Sequence, residues 1–369
     1  MNTLMLILFS IVLLPIYSIT IFIPYWTRKT ESFGVSIPEQ IYHTPQLKKI
    51  RQRYTIFTVI SSFIVTILFF TIGSILIQNE EILSLLFGVL IILYLLISFV
   101  IYMNFHLEMK QMKAEKNWNQ EKSQKVIIQL GFREHNLTHS HLWFLAPILI
   151  AILLIIVTFH SYNLIPNQIP TQYNFSGDVT NWAEKSYRNV LLHPVMLIYM
   201  SFLFLFINIT ISKSKQQIDP NNPEASIQKT VIFRRRWSMF TIVSNYVLTI
   251  LFTIMQLSLI YPINRSGISI LSLLTAAIIV FGAIVLSITT GQGGSRLKQF
   301  QDMEGNLINR DDDQYWKLGQ FYFNKNDPSL FLEKRFGIGW TINLARPLSW
   351  IILLTIIGLA IALPIVFGV

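Results

Sequence analysis

Long apolar runs, separated by shorter polar connections, recur from one end of the chain to the other. Each run has about 19–25 residues, which is enough for a helix to cross a hydrocarbon core of about 30 Å. The eight runs span residues 3–26, 54–78, 82–105, 142–160, 189–212, 238–262, 268–289 and 348–369. This pattern predicts an all-α polytopic membrane protein with eight transmembrane helices.

The composition agrees with a membrane protein and narrows its chemistry. Hydrophobic residues fill 52% of the 369 positions and charged residues only 13%, whereas a soluble domain has about a quarter charged residues. The mean hydropathy is +0.51. Because the chain contains no cysteine, disulfides and thiolate chemistry are excluded.

Lysine and arginine are concentrated in alternate connections between the runs. Of the 29 such residues, 26 lie in 27–53, 106–141, 213–237 and 290–347, and the other connections hold three. Basic connections stay on the cytoplasmic side of a membrane, so the asymmetry predicts that both termini lie outside. The net charge of +10 is then explained by anionic lipid at the inner leaflet. We expect the lipid bilayer, and not nucleic acid, as its partner.

The connection at 161–188 is the only sizeable one that this orientation places outside the cell. Thr171–Phe175 and Asp178–Trp182 are rich in residues that favour strands, and a glycine turn lies between them. We therefore predict a small extracellular hairpin. In a functional interpretation it faces a ligand, with Trp182 providing contact area and Lys185 providing charge. In the structural alternative, the hairpin caps the helix bundle.

The last inner connection carries the strongest signal for a second module. Gln320–Phe323 and Leu330–Arg335 are predicted strands joined by a turn at 324–329, and Trp340–Leu344 follows two glycines. The expected aromatic core is Trp316, Phe321, Phe323, Phe331, Phe336 and Trp340. Such a small β-containing cytoplasmic module is marginal alone, so we expect it to pack on the membrane or on other inner loops.

The predicted spans contain no Asp, Glu, Lys or Arg. Ion-coupled transporters generally keep an ionisable residue within the bilayer, so this composition argues against proton-coupled transport. The strongest polar residues of the spans are Asn208, Asn245 and Gln256, for which we expect interhelical hydrogen bonds. The alternative is a polar path for a transported amphiphile.

No motif of a familiar hydrolase occurs in the chain. His160 and His193, near the outer boundary, are the one weak candidate for an acid–base pair. His135 and His139 have the four-residue spacing of two zinc ligands on one helical face, and His141 follows them. Interfacial histidines are the simpler interpretation. We expect a non-enzymatic protein without a metal or cofactor.

Residues of the outer loop carry a resemblance to a known family. The run Ile169-Pro170-x-x-x-Asn174-x-x-Gly177, followed by Lys185, resembles the outer-loop domain of the immunity proteins that protect bacteria against the sporulation-delaying toxin. The chain departs from that pattern by having Gln172 in place of a histidine and Thr180 in place of an acidic residue. The resemblance implies a bacterial plasma-membrane protein with a role in immunity or signalling. The candidate ligand-binding residues are Gln172, Asn174, Gly177, Trp182 and Lys185.

The last inner connection is similar to an uncharacterised module that accompanies this outer-loop domain in some bacterial membrane proteins. The residues that carry this second resemblance, and that we take as candidate functional residues, are Trp316, Tyr322, Asn324, Asp327, Trp340 and Asn343. No activity follows from it.

These observations predict five regions of the chain. They are an N-terminal three-helix region with basic inner loops (1–141), a helix–outer loop–helix domain (142–212), two further transmembrane helices (213–289), the cytoplasmic module (290–347) and a last transmembrane helix (348–369). The expected function is that of a sensor or immunity-type protein that responds to an envelope-active peptide or another cell-envelope molecule, with a possible cytoplasmic protein partner. The alternative is a transporter or flippase of a small amphiphile or lipid-linked molecule.

Overall fold

A computed structural model describes residues 3–76, 80–118, 136–173, 178–215, 223–297 and 312–367. Within these ranges, eight helices are long and apolar enough to cross a membrane, so the predicted fold class is confirmed. The helices are α1 (Thr3–Leu8), α2 (Leu14–Trp26), α3 (Pro45–Leu76), α4 (Glu80–Glu115), α5 (Leu145–His160), α6 (Tyr187–Val190), α7 (Leu192–Lys213), α8 (Pro223–Leu257), α9 (Arg265–Thr290) and α10 (Pro347–Val366). A π-helical segment, Phe9–Leu13, joins α1 and α2 into one span.

Three helices extend well beyond the apolar runs that predicted them. Helix α3 begins at Pro45, α4 ends at Glu115 and α8 begins at Pro223, so each adds polar turns to its span. Charged and polar residues with good helix propensity continue a helix once the apolar part has formed. The apolar pattern therefore locates the part of each helix that crosses lipid, but not its ends.

Within the described ranges, eight short strands form four separate two-stranded antiparallel sheets. They are β1 (Glu31–Ser32), β2 (Val35–Ser36), β3 (Gln168–Tyr173), β4 (Val179–Glu184), β5 (Trp316–Lys317), β6 (Phe321–Tyr322), β7 (Phe331–Glu333) and β8 (Trp340–Ile342). Strands β3 and β4 form the predicted hairpin. Its tip, including the expected glycine turn, lies outside the described residues.

The strand pairing of the C-terminal module differs from the sequence prediction. Strand β6 pairs with β5 rather than with β7, and β7 pairs with β8. A tight turn favours the observed pairing, because Leu318 and Gly319 both have positive φ between β5 and β6. The connection from β6 to β7 is longer and contains Pro328, which cannot donate a ladder hydrogen bond.

The predicted aromatic core of this module is partly wrong. Tyr322 is buried, whereas Phe321 and Phe323 on either side of it are 44% and 41% exposed. Successive side chains of a strand point to opposite faces, so a buried Tyr322 places both phenylalanines on the other face. Trp316, Phe331 and Phe336 are buried as expected, and Trp340 is half-buried.

The chain divides into two compact units, and the division falls within α8 and α9. Unit one comprises 1–135, 214–233 and 284–345, and it contains the first three spans and the C-terminal module. Its main core packs β1–β2 residues Phe33 and Val35 against Tyr54 of α3 and Phe105 of α4. Phe336 of the module belongs to the same core.

Unit two comprises 136–213, 234–283 and 346–369, and it contains the β3–β4 hairpin. One core cluster joins α5 to α7 through Ala151, Leu154 and Leu197. A second cluster, around Ile165 and Ile169, packs the base of the hairpin against the helix ends.

Candidate functional site

Buried ion pairs fix the C-terminal module to the rest of unit one. The Arg335 guanidinium, 3% exposed, donates to the carboxylates of both Asp312 and Asp313. Lys113 near the end of α4 is also buried and donates to Asp313 Oδ2 at 2.7 Å. Burial alone would raise the pKa of Asp313, but the positive charges of Arg335 and Lys113 outweigh it and lower the pKa.

A second ion pair joins the module to the connection after α2. Arg28 donates to the fully buried carboxylate of Glu333 in β7. Glu31 of β1 lies in the same charged region, and its Oε2 has no hydrogen-bond partner among the described residues. Burial raises the pKa of Glu31 to about 7, although Arg28 and Arg335 act in the opposite direction.

The glycine-rich segment after α9 also holds the module in place. Gln292 Nε2 donates to the carbonyls of Lys334 and Gly339, at 3.2 and 3.0 Å, and its Oε1 accepts from the Gly339 amide at 2.8 Å. Gly293, with φ of 60°, lies against the Arg28 guanidinium, where a Cβ atom would collide. Gly293 therefore allows the chain to pack closely against Arg28.

Four of the six candidate residues of the module lie together in one hydrogen-bonded cluster. Tyr322 Oη donates to Asp327 Oδ2 at 2.8 Å, and Asn324 Nδ2 donates to Tyr322 Oη at 3.1 Å. Asn343 Nδ2 donates to the carbonyls of Asn324 and Asp327 at 2.8 and 3.2 Å. These bonds close the turn between β6 and β7 and give the four residues a structural role.

Asp327 also pairs with Lys215, in the connection that follows α7 in the chain. Its carboxylate accepts a hydrogen bond from Lys215 Nζ and another from the Ser329 amide at 2.9 Å. Burial alone would raise the pKa of Asp327, but these bonds outweigh it and lower the pKa to about 2. The carboxylate therefore stays ionised at any physiological pH.

The two candidate tryptophans occupy different surroundings. Trp316 is buried against Tyr322, with ring centroids 5.1 Å apart, and the Arg335 guanidinium lies 5.1 Å from its ring centroid. Trp340 packs on Phe233 with ring centroids 5.2 Å apart. The contacts of Trp316 with Arg335 and of Trp340 with Phe233 were not predictable from the sequence, because they join residues distant in the chain.

Unit one contains a cleft of about 410 Å³ between its span helices and the C-terminal module. This volume lies in the range of small-molecule sites. Its lining residues are Thr20, Ile23, Tyr54, Leu95, Ser98, Phe99, Tyr102, Gln320, Phe321, Lys334, Arg335, Phe336 and Thr341. The wall is therefore mainly apolar and aromatic, with a few polar groups. Sequence reasoning missed this site, since no contiguous motif marks it.

Lys334 is the notable polar group of the cleft. Lys334 is exposed to solvent. The surrounding protein atoms nevertheless displace enough water from its ammonium to lower the pKa of Lys334. Its backbone is held between β7 and β8, where the Lys334 amide donates to the Gly339 carbonyl at 3.0 Å. Within the part of the chain that the structure describes, its ammonium makes no hydrogen bond or ion pair.

The candidate ligand-binding residues of the hairpin are only partly described. Gln172 and Trp182 are exposed on β3 and β4. Lys185 Nζ instead donates to the Ile165 carbonyl at 2.7 Å and lies 4.6 Å from the Tyr162 ring centroid. Lys185 thus braces the base of the hairpin. Asn174 and Gly177 lie outside the described residues, and the ligand-binding role of this set stays a prediction.

The polar residues of the unit-two spans make the expected interhelical hydrogen bonds. Ser201 of α7 donates to Asn245 Oδ1 of α8 at 3.2 Å. Gln256 Nε2 of α8 donates to Thr158 Oγ1 of α5 at 2.7 Å. Asn208, Asn245 and Gln256 are all fully buried.

Two of the candidate histidines, His141 and His193, have side-chain partners. Asn208 Nδ2 lies 2.9 Å from His141 Nδ1, and His193 Nδ1 lies 3.3 Å from Gln256 Oε1. His160 is exposed. His135 lies outside the described residues, and no group of three or more metal-binding side chains occurs within those that are described.

Comparison with known proteins gives two short matches. Residues 149–198, which cover most of α5, the hairpin and the start of α7, match a domain of unknown function (DUF1648). Residues 325–350 of the module and the start of α10 match a family of unknown function (DUF5808). No curated protein and no solved structure matches the chain.

Proposed function

We propose that this protein is a non-catalytic membrane receptor of the sensor or immunity type, whose ligand is an amphiphilic, envelope-active molecule. The observation that carries the proposal is the cleft in unit one. Its walls come from both the span helices and the C-terminal module, so a molecule bound there contacts both. A ligand shifts the module from one arrangement relative to the spans to another only if it binds these two arrangements with different affinity.

The packing of the polar span residues supports a receptor over a transporter. A transport path would need exposed polar groups along the spans, whereas Asn208, Asn245 and Gln256 are buried and bonded to neighbouring helices. In this proposal the hairpin, with its exposed Trp182, is an additional contact surface for the ligand on the outer side of the plasma membrane. The module then reports to a partner protein on the inner side.

The test compares cells with and without the protein against a panel of envelope-active peptides and antibiotics. We expect protection against at least one agent. Protection should be lost in Ser98→Trp, which fills the cleft, and kept in Ser74→Trp, which adds the same ring on an exposed face of α3. Trp182→Ala tests the hairpin, with the exposed Trp143→Ala as its control.

Two results would count against the receptor proposal. One is the absence of protection against every agent, and the other is full protection by Ser98→Trp. The melting temperature of the purified variants shows whether each has folded. If Ser98→Trp does not fold, the smaller Ser98→Leu variant takes its place.

A further inference from the structure

Several charged groups near the cleft form ion pairs. Arg28 pairs with Glu333, and Arg335 pairs with Asp312. Lys334 lies between Glu333 and Arg335 in sequence, but its ammonium has no pairing partner among the described residues. Lys334 is exposed at the wall of the cleft, so its unpaired ammonium is available to an anionic ligand.

A second polar group of the cleft is also unsatisfied. Ser98 of α4 is 7% exposed, and its hydroxyl has no partner among the described residues. Several serine and threonine hydroxyls in the spans of this unit donate to a carbonyl one turn earlier, as Ser62 does to Thr58 at 2.8 Å. Ser98 therefore keeps a hydrogen-bond donor for an oxygen atom of a ligand.

The remaining lining is suited to a hydrocarbon chain. Ile23, Leu95, Phe99 and Phe336 are apolar and line the same cleft as Lys334. A small soluble anion would leave this apolar surface exposed to water. The combination of one cation, one hydroxyl and apolar walls matches a molecule with an anionic head and an acyl tail.

The edge of the cleft is positioned to receive such a molecule from the bilayer. Phe321 lines the cleft and is 44% exposed, and Leu318 and Phe323 beside it in sequence are 46% and 41% exposed. Tyr102 Oη donates to the Leu318 carbonyl at 2.9 Å, which ties this edge to α4. Tyr102 precedes Glu108, the next Asp, Glu, Lys or Arg of α4, by six residues or about 9 Å of helix. The edge therefore lies at the depth of the last apolar turns of the span.

We propose that the cleft binds a membrane lipid with an anionic headgroup, a phosphate diester or a carboxylate, through Lys334. The Ser98 hydroxyl donates to an oxygen of the same lipid, and the acyl chain lies along the apolar wall. The proposal rests on the cleft being the binding site of the proposed receptor function. It adds the chemical class of the ligand and the residue that recognises it.

The test measures lipid binding to the purified full-length protein by native mass spectrometry. Phosphatidylglycerol and phosphatidylcholine with identical acyl chains are titrated separately, and oleate serves as the carboxylate probe. We expect phosphatidylglycerol to bind about tenfold more tightly than phosphatidylcholine, as a charge-assisted hydrogen bond would produce. Lys334→Met should abolish this preference, because it keeps the chain length and removes the charge.

Lys325→Met is the matched control. Lys325 is an exposed lysine of the same module outside the cleft, so this variant should keep the preference. Lys334→Met should also retain the wild-type melting temperature, because no ion pair is lost. Oleate binding should likewise be weakened by Lys334→Met and not by Lys325→Met.

Several results would overturn the inference. Equal binding of the two phospholipids by the wild type is one, and a phosphatidylglycerol preference that survives in Lys334→Met is another. Displacement of phosphatidylglycerol by inorganic phosphate at equal concentration would show a soluble-anion site instead of a lipid site. If phosphatidylglycerol binds as expected while cells gain no protection, the receptor function fails and the lipid site stands.

Discussion

At the scale of single residues, charge pairing distinguishes the structural groups of unit one from the candidate ligand-binding group. Arg335 and Lys113 are buried cations whose charges are matched by Asp312 and Asp313. Removing one partner of a buried pair leaves an uncompensated charge, so these residues stabilise the fold. Lys334 has no such partner among the described residues, so a substitution that removes its charge breaks no ion pair there.

Glu31 gives the fold a dependence on pH. The groups around it are Arg28, Arg335, Asp312 and Glu333, and burial raises its pKa from 4.5 to about 7. Between these two values the folded protein holds a proton that the unfolded chain has released. Stability therefore falls as the pH rises through this window, by about 3 kcal/mol in total.

Glu31→Gln should remove this loss. Thermal unfolding of the purified protein at about pH 5 and about pH 8 should show a larger decrease in melting temperature for the wild type than for the variant. The control is Glu39→Gln, which changes a carboxylate about one-third exposed in the same connection. If Glu31→Gln and the wild type lose equal stability over this range, Glu31 does not titrate in the folded protein.

At the scale of elements, the module is a set of short strands held by its neighbours. Strands β5 to β8 contain two or three residues each, too few for independent stability. Ion pairs to Arg28 and Lys113 and hydrogen bonds to Gln292 supply the missing support. The module is thus an extension of the span helices of unit one.

Gln292→Leu should loosen the module. The substitution leaves the Lys334 and Gly339 backbone groups without three hydrogen bonds, and a buried group left unsatisfied costs about 1–3 kcal/mol. We expect a lower melting temperature and faster proteolysis within 312–345. Gln314→Leu, at an exposed position of the same module, should leave both unchanged.

An unchanged protease pattern in Gln292→Leu would show that the glycine-rich segment does not hold the module. In that case the ion pairs alone would have to account for its position.

The same elements show how far the sequence predicts the structure. The eight spans and the β3–β4 hairpin follow from local patterns, since apolar length and strand propensity are properties of contiguous residues. The pairing of β5 with β6 was missed because it depends on a three-residue turn, 318–320, in which Leu318 and Gly319 have positive φ. The prediction that Phe321 and Phe323 are buried was wrong as well.

The cleft could not be predicted because its walls are distant in the chain. Thr20, Ser98 and Lys334 come together only after the module packs against α2 and α4. Likewise, Arg234 begins the run Arg234-Arg235-Arg236-Trp237, which is typical of an interfacial anchor. The next two arginines are exposed, yet Arg234 is fully buried. Tertiary packing decides both cases.

At the scale of the whole molecule, the two units carry different candidate sites. Unit one contains the cleft, and unit two contains the exposed hairpin within the DUF1648 match. The basic connections predict that the module and the hairpin lie on opposite sides of the membrane. A receptor with this organisation binds its ligand in the cleft of unit one, and that occupancy is the central claim of the proposed function.

The most direct test of this claim is the reactivity of a thiol placed inside the cleft. Because the chain has no cysteine, Ser98→Cys introduces a single thiol with little change in size, and Ser74→Cys does the same on an exposed face of α3. Labelling by a small maleimide is followed by mass spectrometry in phosphatidylcholine nanodiscs, with and without phosphatidylglycerol. We expect phosphatidylglycerol to slow the labelling of Ser98→Cys several-fold and to leave Ser74→Cys unchanged. Equal labelling rates for Ser98→Cys under the two conditions would contradict the claim that the cleft is a ligand site.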